Sequence, residues 1–385
     1  MPGEVIDRKE VIGLLSDLVR IPSVNPQMGG AEGERAIARY LAERLQGLGL
    51  IPTVTEVQPG RPNVLATVPG TPGGPHLLFE AHTDTVPPSH GQDEPFNPRL
   101  QGDRLYGRGS CDTKASVAAM FLALASVLPA RDRRVTVSVA FTAGEEFGHV
   151  GVKHLIASGF RCDAAVVGEP TGLDVVSAHK GILRWKMVTT GRAAHSSNPE
   201  EGCNAILKMA AVVRALEEKL IPQLRERRHP LLGPPTLSVG RIEGGLQVNV
   251  VPDRCVVEVD RRLLPGETWA TIRDELEEAL APLRTADPDL QLLIQEPYQH
   301  LVSLETPGDA PIVRLTREAV RRIDGEHPVR AVAFGTDAAE LSAAGIPSVV
   351  FGPGNIGQAH TSDEYVEIRQ VVKAAAIYRE IMLTF

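Results

Sequence analysis

The sequence predicts an α/β fold in which a mostly parallel sheet flanked by helices is interrupted by an inserted α+β domain. Two observations support this prediction. In the first half, short apolar runs rich in β-formers alternate with helix-like segments, which is typical of a parallel sheet covered on both faces. From Ala178 onward, strand-like runs are combined with two helix-like segments, a pattern that suits an antiparallel sheet with helices on one face.

Local signals predict the elements of the first half in order. Asp7 is placed to cap a helix that runs through Leu18. Apolar residues then recur at helical spacing from Ile37 to Leu48, and the pattern closes at glycines. The strand-like runs that follow are NVLATV, HLLFEAHTDTV, VTVSVAFTA and AAVVGEP, and the helix-like KASVAAMFLALASVL lies between the second and the third.

The pattern changes near Ser177 and returns after Pro297. The elements between these points are predicted as strand, helix, two strands, helix and strand, from ILRWKMVTT to LQLLIQ. We therefore expect residues 1–177 and 296–385 to form one discontinuous domain, with residues 178–295 inserted into it as a dimerisation or lid domain. A chain of 385 residues is long enough for two domains.

Composition excludes several classes of function. The formal net charge of -8 argues against a nucleic-acid partner, which would require a concentrated basic surface. No apolar run is long enough to span a bilayer, so we expect no membrane partner, and the first residues have no apolar core of a signal peptide. The four cysteines are far apart and form no CxxC pair. We therefore expect free thiols and a cytoplasmic protein.

Histidine and acidic residues recur at the ends of predicted strands or in the loops just after them. In open α/β sheets the carboxyl ends of strands border the ligand crevice, so these side chains are expected to converge. Taken singly, each would more often be a loop residue or a helix cap. The residues are His82 and Asp84 in EAHTDTVP, Asp112 in GRGSCDTK, Glu145 and Glu146 in FTAGEEFG, Glu169 in VVGEP, and His360 in GQAHTSDEY.

Imidazole and carboxylate ligands without a thiolate suit zinc, and also cobalt or manganese. Two histidines and several carboxylates are more ligands than one ion needs. A carboxylate that bridges two divalent ions would use all of them. The sequence therefore predicts a site for two divalent metal ions, zinc first.

The ordered series HTDTVP, GRGSCDTK, TAGEE, GEP and AHTSDEY resembles one known family. It is the dinuclear zinc metallopeptidase and deacylase family that includes acetylornithine deacetylase, succinyl-diaminopimelate desuccinylase, aminoacylase and carboxypeptidase G. The resemblance runs from RIPSVNP to the last predicted helix. It includes GRAAHSS, NVVPD and DRRLLPGE of the inserted domain.

The resemblance implies a role for each matching residue. Asp112 would bridge the two ions, with His82 and Glu169 completing one site and Glu146 and His360 the other. Asp84 would orient the His82 ring, a role that fixes the ring's tautomer. Neighbours in an extended chain point to opposite sides, which fits one member of the Glu145–Glu146 pair as a ligand and the other as a base. The family also implies a cis peptide between Asp112 and Thr113.

The same resemblance implies a mechanism. The two ions would acidify a shared water, and Glu145 would act as the general base that takes its proton during attack on an amide carbonyl. His195 in GRAAHSS would stabilise the oxyanion, and in dimeric relatives the partner subunit supplies that histidine. The chain is accordingly expected to be a homodimer.

Further residues are expected to bind substrate. Arg262 in DRRLLPG resembles the family arginine that holds the substrate carboxylate, and its neighbour Arg261 is expected at the surface because strand neighbours face opposite ways. Asn249 in NVVPD resembles a further substrate contact, and Gly354 in GPGNIGQAH would let the backbone approach the substrate. Asp337 would either face a cationic substrate side chain or cap the helix that follows it.

The predicted reaction is hydrolysis of the amide bond of an N-acyl amino acid, with acetylornithine deacetylation as first choice. A dipeptidase or carboxypeptidase acting on small peptides is the alternative within the same family. A non-catalytic metal-binding protein would be expected to lack the base or a ligand, and none is missing. A cysteine hydrolase built on Cys111 is disfavoured, because no histidine accompanies it in the nucleophile pattern.

Overall fold

The computed structural model describes residues 6–130 and 133–385. The chain forms two compact units, of which the first comprises residues up to Ser177 together with Glu305–Arg330 and Thr336–Phe385. The second comprises Ala178–Leu304 and Ala331–Gly335. It extends past residue 295, the boundary expected from the sequence, because a short strand after that point pairs with the second unit's own sheet.

The helices and strands are numbered in chain order. The strands are β1 Thr53–Gln58, β2 Arg61–Val68, β3 His76–His82, β4 Arg99–Gln101, β5 Arg104–Tyr106, β6 Thr136–Thr142, β7 Ala164–Val167, β8 Val175–His179, β9 Gly181–Thr190, β10 Thr236–Gly244, β11 Arg254–Leu263, β12 Gln291–Ile294, β13 Gln299–Leu301, β14 Leu304–Glu305, β15 Val329–Val332, β16 Ser348–Val350 and β17 Tyr365–Glu367. The helices are α1 Arg8–Arg20, α2 Arg35–Gly47, α3 Lys114–Val127, α4 Val150–Ala157, α5 Ala205–Ala215, α6 Ile221–Glu226, α7 Trp269–Ala286, α8 Pro311–Asp324, α9 Ala338–Ala343 and α10 Ile368–Thr384, with a π-helical turn at Leu216–Leu220.

The main sheet has parallel strands at its centre and antiparallel strands toward its edges. Its order is β1-β2-β6-β3-β7-β16-β8-β14, with β15 beside β8. The four strands β6, β3, β7 and β16 are mutually parallel, whereas β1 and β2 run antiparallel to their neighbours. The predicted mostly parallel sheet is therefore confirmed. Because β6, β3 and β7 are adjacent and parallel, their carboxyl ends lie at one edge.

Helices cover this sheet and form the first unit's core with it. Helix α3 is buried along nearly its whole length and packs on β3 and β6, while α1 and α10 pack on α3. Helices α4 and α9 pack together and contact β1, β2, β7 and β16. Burial of this kind supplies the main free energy of folding. Within the described residues, no helix combines the length and the apolar character that crossing a bilayer requires.

The second unit is built on an antiparallel sheet of order β10-β11-β9-β12, with β13 beside β9. Helices α5 and α7 and the π-helical turn pack against one another over it, and α5 contacts β9 and β11. The strands show the alternating burial expected of a sheet with one covered face. Trp185 on β9 lies in this core with its ring centroid 5.6 Å from that of Trp269 on α7.

Arg261 corrects one expectation from the sequence. Neighbouring residues on β11 do face opposite ways, but Arg261 is on the covered face and is fully buried, whereas the Arg262 side chain is 30% exposed. Buried Arg261 is stable because its guanidinium donates to Glu267 and Glu275, each at 2.6 Å. Strand alternation predicts that two faces exist and leaves open which one the helices cover.

Replacement of Tyr378 by phenylalanine tests the packing beneath the main sheet. The Tyr378 hydroxyl donates to the carbonyl oxygen of Phe351 at 2.6 Å, and its ring meets the Phe79 ring edge to face. Tyr378→Phe leaves that buried carbonyl without its partner, so the free energy of unfolding should fall by about 1–3 kcal/mol in urea titrations. Tyr40→Phe is the control, because its partner Asp17 is half exposed and water replaces the lost bond. Equal losses in the two variants would contradict this account.

Candidate metal centre

The predicted ligands lie together at the carboxyl edge of the main sheet. His82 is the last residue of β3, Glu145 and Glu146 follow β6, and Glu169 follows β7. Since β6, β3 and β7 are adjacent and parallel, the sheet itself brings these four side chains to one place. Two loops complete the cluster: one places Asp112 just before α3, and the other carries His360.

The carboxylate of Asp112 lies between the two histidines. Its Oδ1 is 3.1 Å from Nε2 of His82, and its Oδ2 is 3.3 Å from Nε2 of His360. Glu169 lies on the His82 side at 3.6 Å, and Glu146 on the His360 side at 3.2 Å. Two ligands each about 2.0–2.1 Å from a tetrahedral ion are roughly 3.4 Å apart, so these separations suit ligands that share an ion.

Glu145 is also part of the cluster. Ligand atoms of His82, Asp112 and Glu146 lie within 4.8 Å of one another, and so do those of His82, Glu145 and Glu169. Distance alone therefore does not separate the expected base from the expected ligands. The donor set of imidazoles and carboxylates fits one or more divalent ions of the zinc, cobalt or manganese type.

The ionisation behaviour of the cluster indicates an excess of buried negative charge. Burial and the charges of neighbouring carboxylates raise the pKa of Glu145 and of Glu169 well above the usual range. Hydrogen bonds to Asp112 and Glu146 raise the pKa of His360 to about 10. Burial opposes ionisation of Asp112, but hydrogen bonds from His360 and His82 hold its pKa low. Divalent cations would relieve this repulsion directly.

Asp84 contacts the His82 ring, as expected, and also holds the loop that carries the two glutamates. Nδ1 of His82 is 3.0 Å from the Asp84 carbonyl oxygen and 3.4 Å from its carboxylate Oδ1. Contact with an oxygen on this side leaves Nε2 to face the cluster. The Asp84 carboxylate accepts hydrogen bonds from the backbone N–H groups of Gly144, Glu145 and Glu146 and from the side-chain amide of Asn25.

Glu364 is a second buried carboxylate that organises the site, and sequence analysis missed it. Its Oε1 accepts from the backbone N–H groups of Cys111 and Asp112 at 2.9 and 3.0 Å. Its Oε2 accepts from the Gly109 N–H at 3.0 Å and from the Arg108 guanidinium. The segment before Asp112 is thus fixed through its backbone. The peptide between Asp112 and Thr113 is cis, as the resemblance implied.

Gly354 has a packing reason of its own. Its φ is +93°, and a Cβ added there would lie 2.6 Å from Sγ of Cys111. Any larger residue would therefore strain the loop and displace Cys111. Its N–H donates to the side chain of Gln370 at 2.8 Å. The structure thus accounts for this glycine without a substrate, whereas its predicted substrate contact remains a prediction.

The second unit carries the remaining predicted residues. His195 is exposed and forms an isolated bridge with Val250, next to the exposed Asn249. Nδ1 of His195 is 2.7 Å from the hydroxyl oxygen of Ser197 and 3.2 Å from its backbone nitrogen, so this ring nitrogen is engaged within its own loop. On β11, Nε of Arg262 donates to Asp260 at 3.0 Å.

Asp337 departs from both expectations for it. It precedes α9, but its side chain makes no capping hydrogen bond, and it is buried with its carboxylate engaged by a histidine instead of open to solvent. Its Oδ1 is 2.8 Å from Nδ1 of His149, a histidine that sequence analysis did not place in the site. The available signal was the position of His149, four residues after Glu145 in the same loop.

The comparisons with known proteins agree with this geometry. Residues 78–384 match the model of peptidase family M20/M25/M40. Acetylornithine deacetylase of Proteus mirabilis (strain HI4320) is 32% identical, with 97% of this chain and 96% of that protein covered, and the enzyme of Myxococcus xanthus is 33% identical with 84% of each covered.

Solved structures share the fold at lower identity. Aminopeptidase PepT from Bacillus cereus superposes with a TM-score of 0.78 at 22% identity, covering 98% of this chain and 99% of that one. The YXEP protein of Bacillus subtilis, described as a dinuclear metal binding peptidase, gives 0.76 at 16% identity, covering 98% and 97%. The family model and the full-length relatives establish that the chain belongs to peptidase family M20/M25/M40 and is a metal-dependent hydrolase of the metallopeptidase and deacetylase type.

Proposed function

We propose that this protein removes the acyl group from an N-acyl α-amino acid by hydrolysing its amide bond, with acetylornithine as the first candidate substrate. One observation carries the proposal: the two oxygens of Asp112 face two separate histidine–glutamate pairs at one sheet edge. Acetylornithine deacetylases that match along most of the chain support the choice of substrate class.

The proposed ligands are divided between two ions. Asp112 would bridge them, His82 and Glu169 would complete one site, and Glu146 and His360 the other. Zinc is the first choice because it accepts mixed imidazole and carboxylate ligands, while cobalt and manganese tolerate the same donors. When bound, such ions supply Lewis acidity and lower the pKa of a water toward neutrality.

Glu145 is the proposed general base. Its carboxylate borders the ligand cluster, 4.0 Å from Nε2 of His82, and its side chain is only 11% exposed. Its backbone N–H is held by Asp84, so the side chain projects from an anchored loop. In the reaction it would take a proton from the attacking water and deliver it to the leaving amine.

The second unit would supply the contacts that bind substrate. The Nδ1 atom of His195 is engaged by Ser197, so the ring would donate a hydrogen bond from Nε2–H to the oxyanion that develops at the amide carbonyl. Arg262, anchored through Nε by Asp260, would hold the α-carboxylate by charge-assisted hydrogen bonds. Asn249 and Gly354 are further proposed contacts.

We also propose that the protein is a homodimer joined through its second unit. In the described residues, β10 pairs only with β11, so its outer edge has no strand beside it. Ile242, Leu246 and Val248 on and after this strand are 57%, 93% and 102% exposed. An unprotected edge with exposed apolar residues favours pairing with a second copy. His195 would then act in the partner's site.

A cytoplasmic location is proposed from the cysteines. Cys111, Cys162, Cys203 and Cys255 are all free, as a reducing compartment would keep them.

The state of the Cys111 thiol argues against a cysteine hydrolase. Burial and the nearby charges of Glu364 and Asp112 raise the pKa of Cys111 well above its usual range. A thiol in that state is a poor nucleophile.

A substrate panel with metal analysis tests the proposed reaction. Purified protein is expected to hold about two divalent ions per chain and to release acetate from N-acetylornithine. A chelator should abolish turnover, and added zinc or cobalt should restore it. Free dipeptides and an N-acetylornithine blocked as its carboxamide serve as comparisons. Cleavage of dipeptides without acyl release would assign the protein as a dipeptidase, and bound metal without any hydrolysis would make it a binding protein.

Replacement of Glu145 by glutamine tests its role as base. The amide cannot accept a proton, so kcat should fall by about 10²–10⁴-fold while the metal content stays at the wild-type level. Turnover is measured with the best substrate of the panel, and metal by elemental analysis. Glu43→Gln, the same change at an exposed position of α2, should leave both unchanged. Wild-type turnover in Glu145→Gln would remove Glu145 from the mechanism.

A mixed dimer tests whether active sites are shared between subunits. Chains with His195→Ala and Glu145→Gln are co-expressed with different tags, and the dimer that contains one of each is isolated. If His195 acts in the partner's site, one of the two sites has both residues, and activity should return to about half of the wild-type value. Each parent dimer alone should be nearly inactive. A mixed dimer as inactive as its parents would show that His195 does not act across subunits.

A further inference from the structure

His149 occupies an unusual backbone conformation beside the proposed base. It directly precedes α4, and its φ of 54° and ψ of 37° lie in the left-handed region. That region is uncommon for residues other than glycine, because the Cβ crowds the backbone. A strained backbone of this kind persists only where the surrounding contacts hold it in place.

The His149 ring lies between two carboxylates. Its Nδ1 is 2.8 Å from Oδ1 of Asp337, which is a hydrogen bond, and 3.9 Å from Oε1 of Glu145, which is an ion-pair distance. The ring is 6% exposed and Asp337 is 1% exposed. The ring and the Asp337 carboxylate are therefore both shielded from bulk water, which leaves each the nearest polar partner of the other.

Asp337 is held in turn by groups behind the sheet edge. Its Oδ2 is 3.5 Å from the hydroxyl of Thr142, the last residue of β6, and that hydroxyl gives its single proton to the closer oxygen, Oε1 of Glu80 on β3. Both Thr142 and Glu80 are buried on neighbouring central strands. Asp337 is therefore positioned by contacts to the buried central strands of the sheet, and the His149 ring is positioned by Asp337.

The Glu145 side chain needs such a contact. Asp84 binds the backbone N–H groups of this loop and so fixes the start of the side chain, but not the direction of its carboxylate. Glutamate has three rotatable side-chain bonds, and the imidazole nitrogens that face this carboxylate are Nε2 of His82 at 4.0 Å and Nδ1 of His149 at 3.9 Å. His149 is the one of these two that is not a proposed ligand.

We infer that His149, held by Asp337, is a positioning residue that fixes the direction of the Glu145 carboxylate for proton transfer. The inference rests on the proposed function, since it assumes that Glu145 is the base. His149 itself would touch neither substrate nor water in this role.

Replacement of His149 by glycine removes the ring but allows the same backbone conformation, so it tests the contribution of the ring alone. Glycine adopts positive φ without strain, so the loop backbone of His149→Gly can stay as it is. Loss of the buried hydrogen bond to Asp337 should lower the free energy of unfolding by about 1–3 kcal/mol, with the protein still folded and its metal content at the wild-type level. Loss of the positioning contact should lower kcat roughly 10–100-fold with little change in KM. His149→Asn is the rescue variant, because asparagine tolerates this conformation and its amide has two donors for Asp337 and Glu145. It should retain kcat within about threefold of wild type.

Two controls support the comparison. Glu94 is exposed and also has a positive φ of 47°, and it lies outside the ligand cluster, so Glu94→Gly relieves the same kind of backbone strain and should leave kcat unchanged. In the Glu145→Gln background, His149→Gly should change the residual rate less than about twofold, because the group that it positions is already lost. Should His149→Gly fail to fold, Asp337→Asn keeps the side-chain shape, weakens the hold on the ring and should lower kcat in the same direction.

The outcomes distinguish this inference from the proposed function. If Glu145→Gln abolishes turnover while folded, metal-loaded His149→Gly works at the wild-type rate, the inference is overturned and the base remains Glu145. If the wild-type protein hydrolyses nothing in the panel, the proposed function fails, and crystal structures of the variants then decide the geometry. If the Glu145 carboxylate is displaced or adopts two conformations in His149→Gly and returns to its place in His149→Asn, the positioning role is supported. A carboxylate that does not move in His149→Gly refutes it.

Discussion

The buried carboxylate of Asp112 is the centre on which the site depends. Its two oxygens meet His82 on one side and His360 on the other, while Glu145, Glu146 and Glu169 crowd the same space. Burying this many acids is costly unless each charge is compensated. Two imidazoles cannot compensate four carboxylates, so the arrangement is stable in its ionised form only with further positive charge. That requirement is the physical basis of a metal-dependent activity.

Two buried carboxylates keep the cluster in place by accepting hydrogen bonds from backbone N–H groups of the site loops. Asp84 holds the loop of Glu145 and Glu146, and Glu364 holds the segment that ends at Asp112. Neither carboxylate competes for an ion, because its oxygens are engaged with peptide donors. The backbone positions of Glu145, Glu146 and Asp112 are therefore set before any ion binds, which lowers the ordering cost of binding. The site is preorganised by its supporting residues as much as by the ligands.

The sequence could predict what depends on strand order and local motifs, and it could not predict contacts made across the fold. His82, Glu145, Glu146 and Glu169 were accessible because each follows a strand of a parallel sheet. Glu364 was not, since its role exists only where its loop meets the segment before Asp112. The same limit applies to Arg261, Asp337 and His149: alternation and helix-cap statistics give local options, and packing partners distant in sequence decide among them.

The pairing of Asp337 with His149 bears on substrate choice. An ornithine-like side chain carries an ammonium group, and a buried charge of that kind needs an acidic partner. Asp337 is buried and already hydrogen bonded to His149, so it is not free to provide one. Preference for acetylornithine therefore rests on the relatives, while Arg262 as a carboxylate anchor would suit any N-acyl α-amino acid. The Asp337–His149 pair therefore gives no structural support to a preference for a cationic side chain.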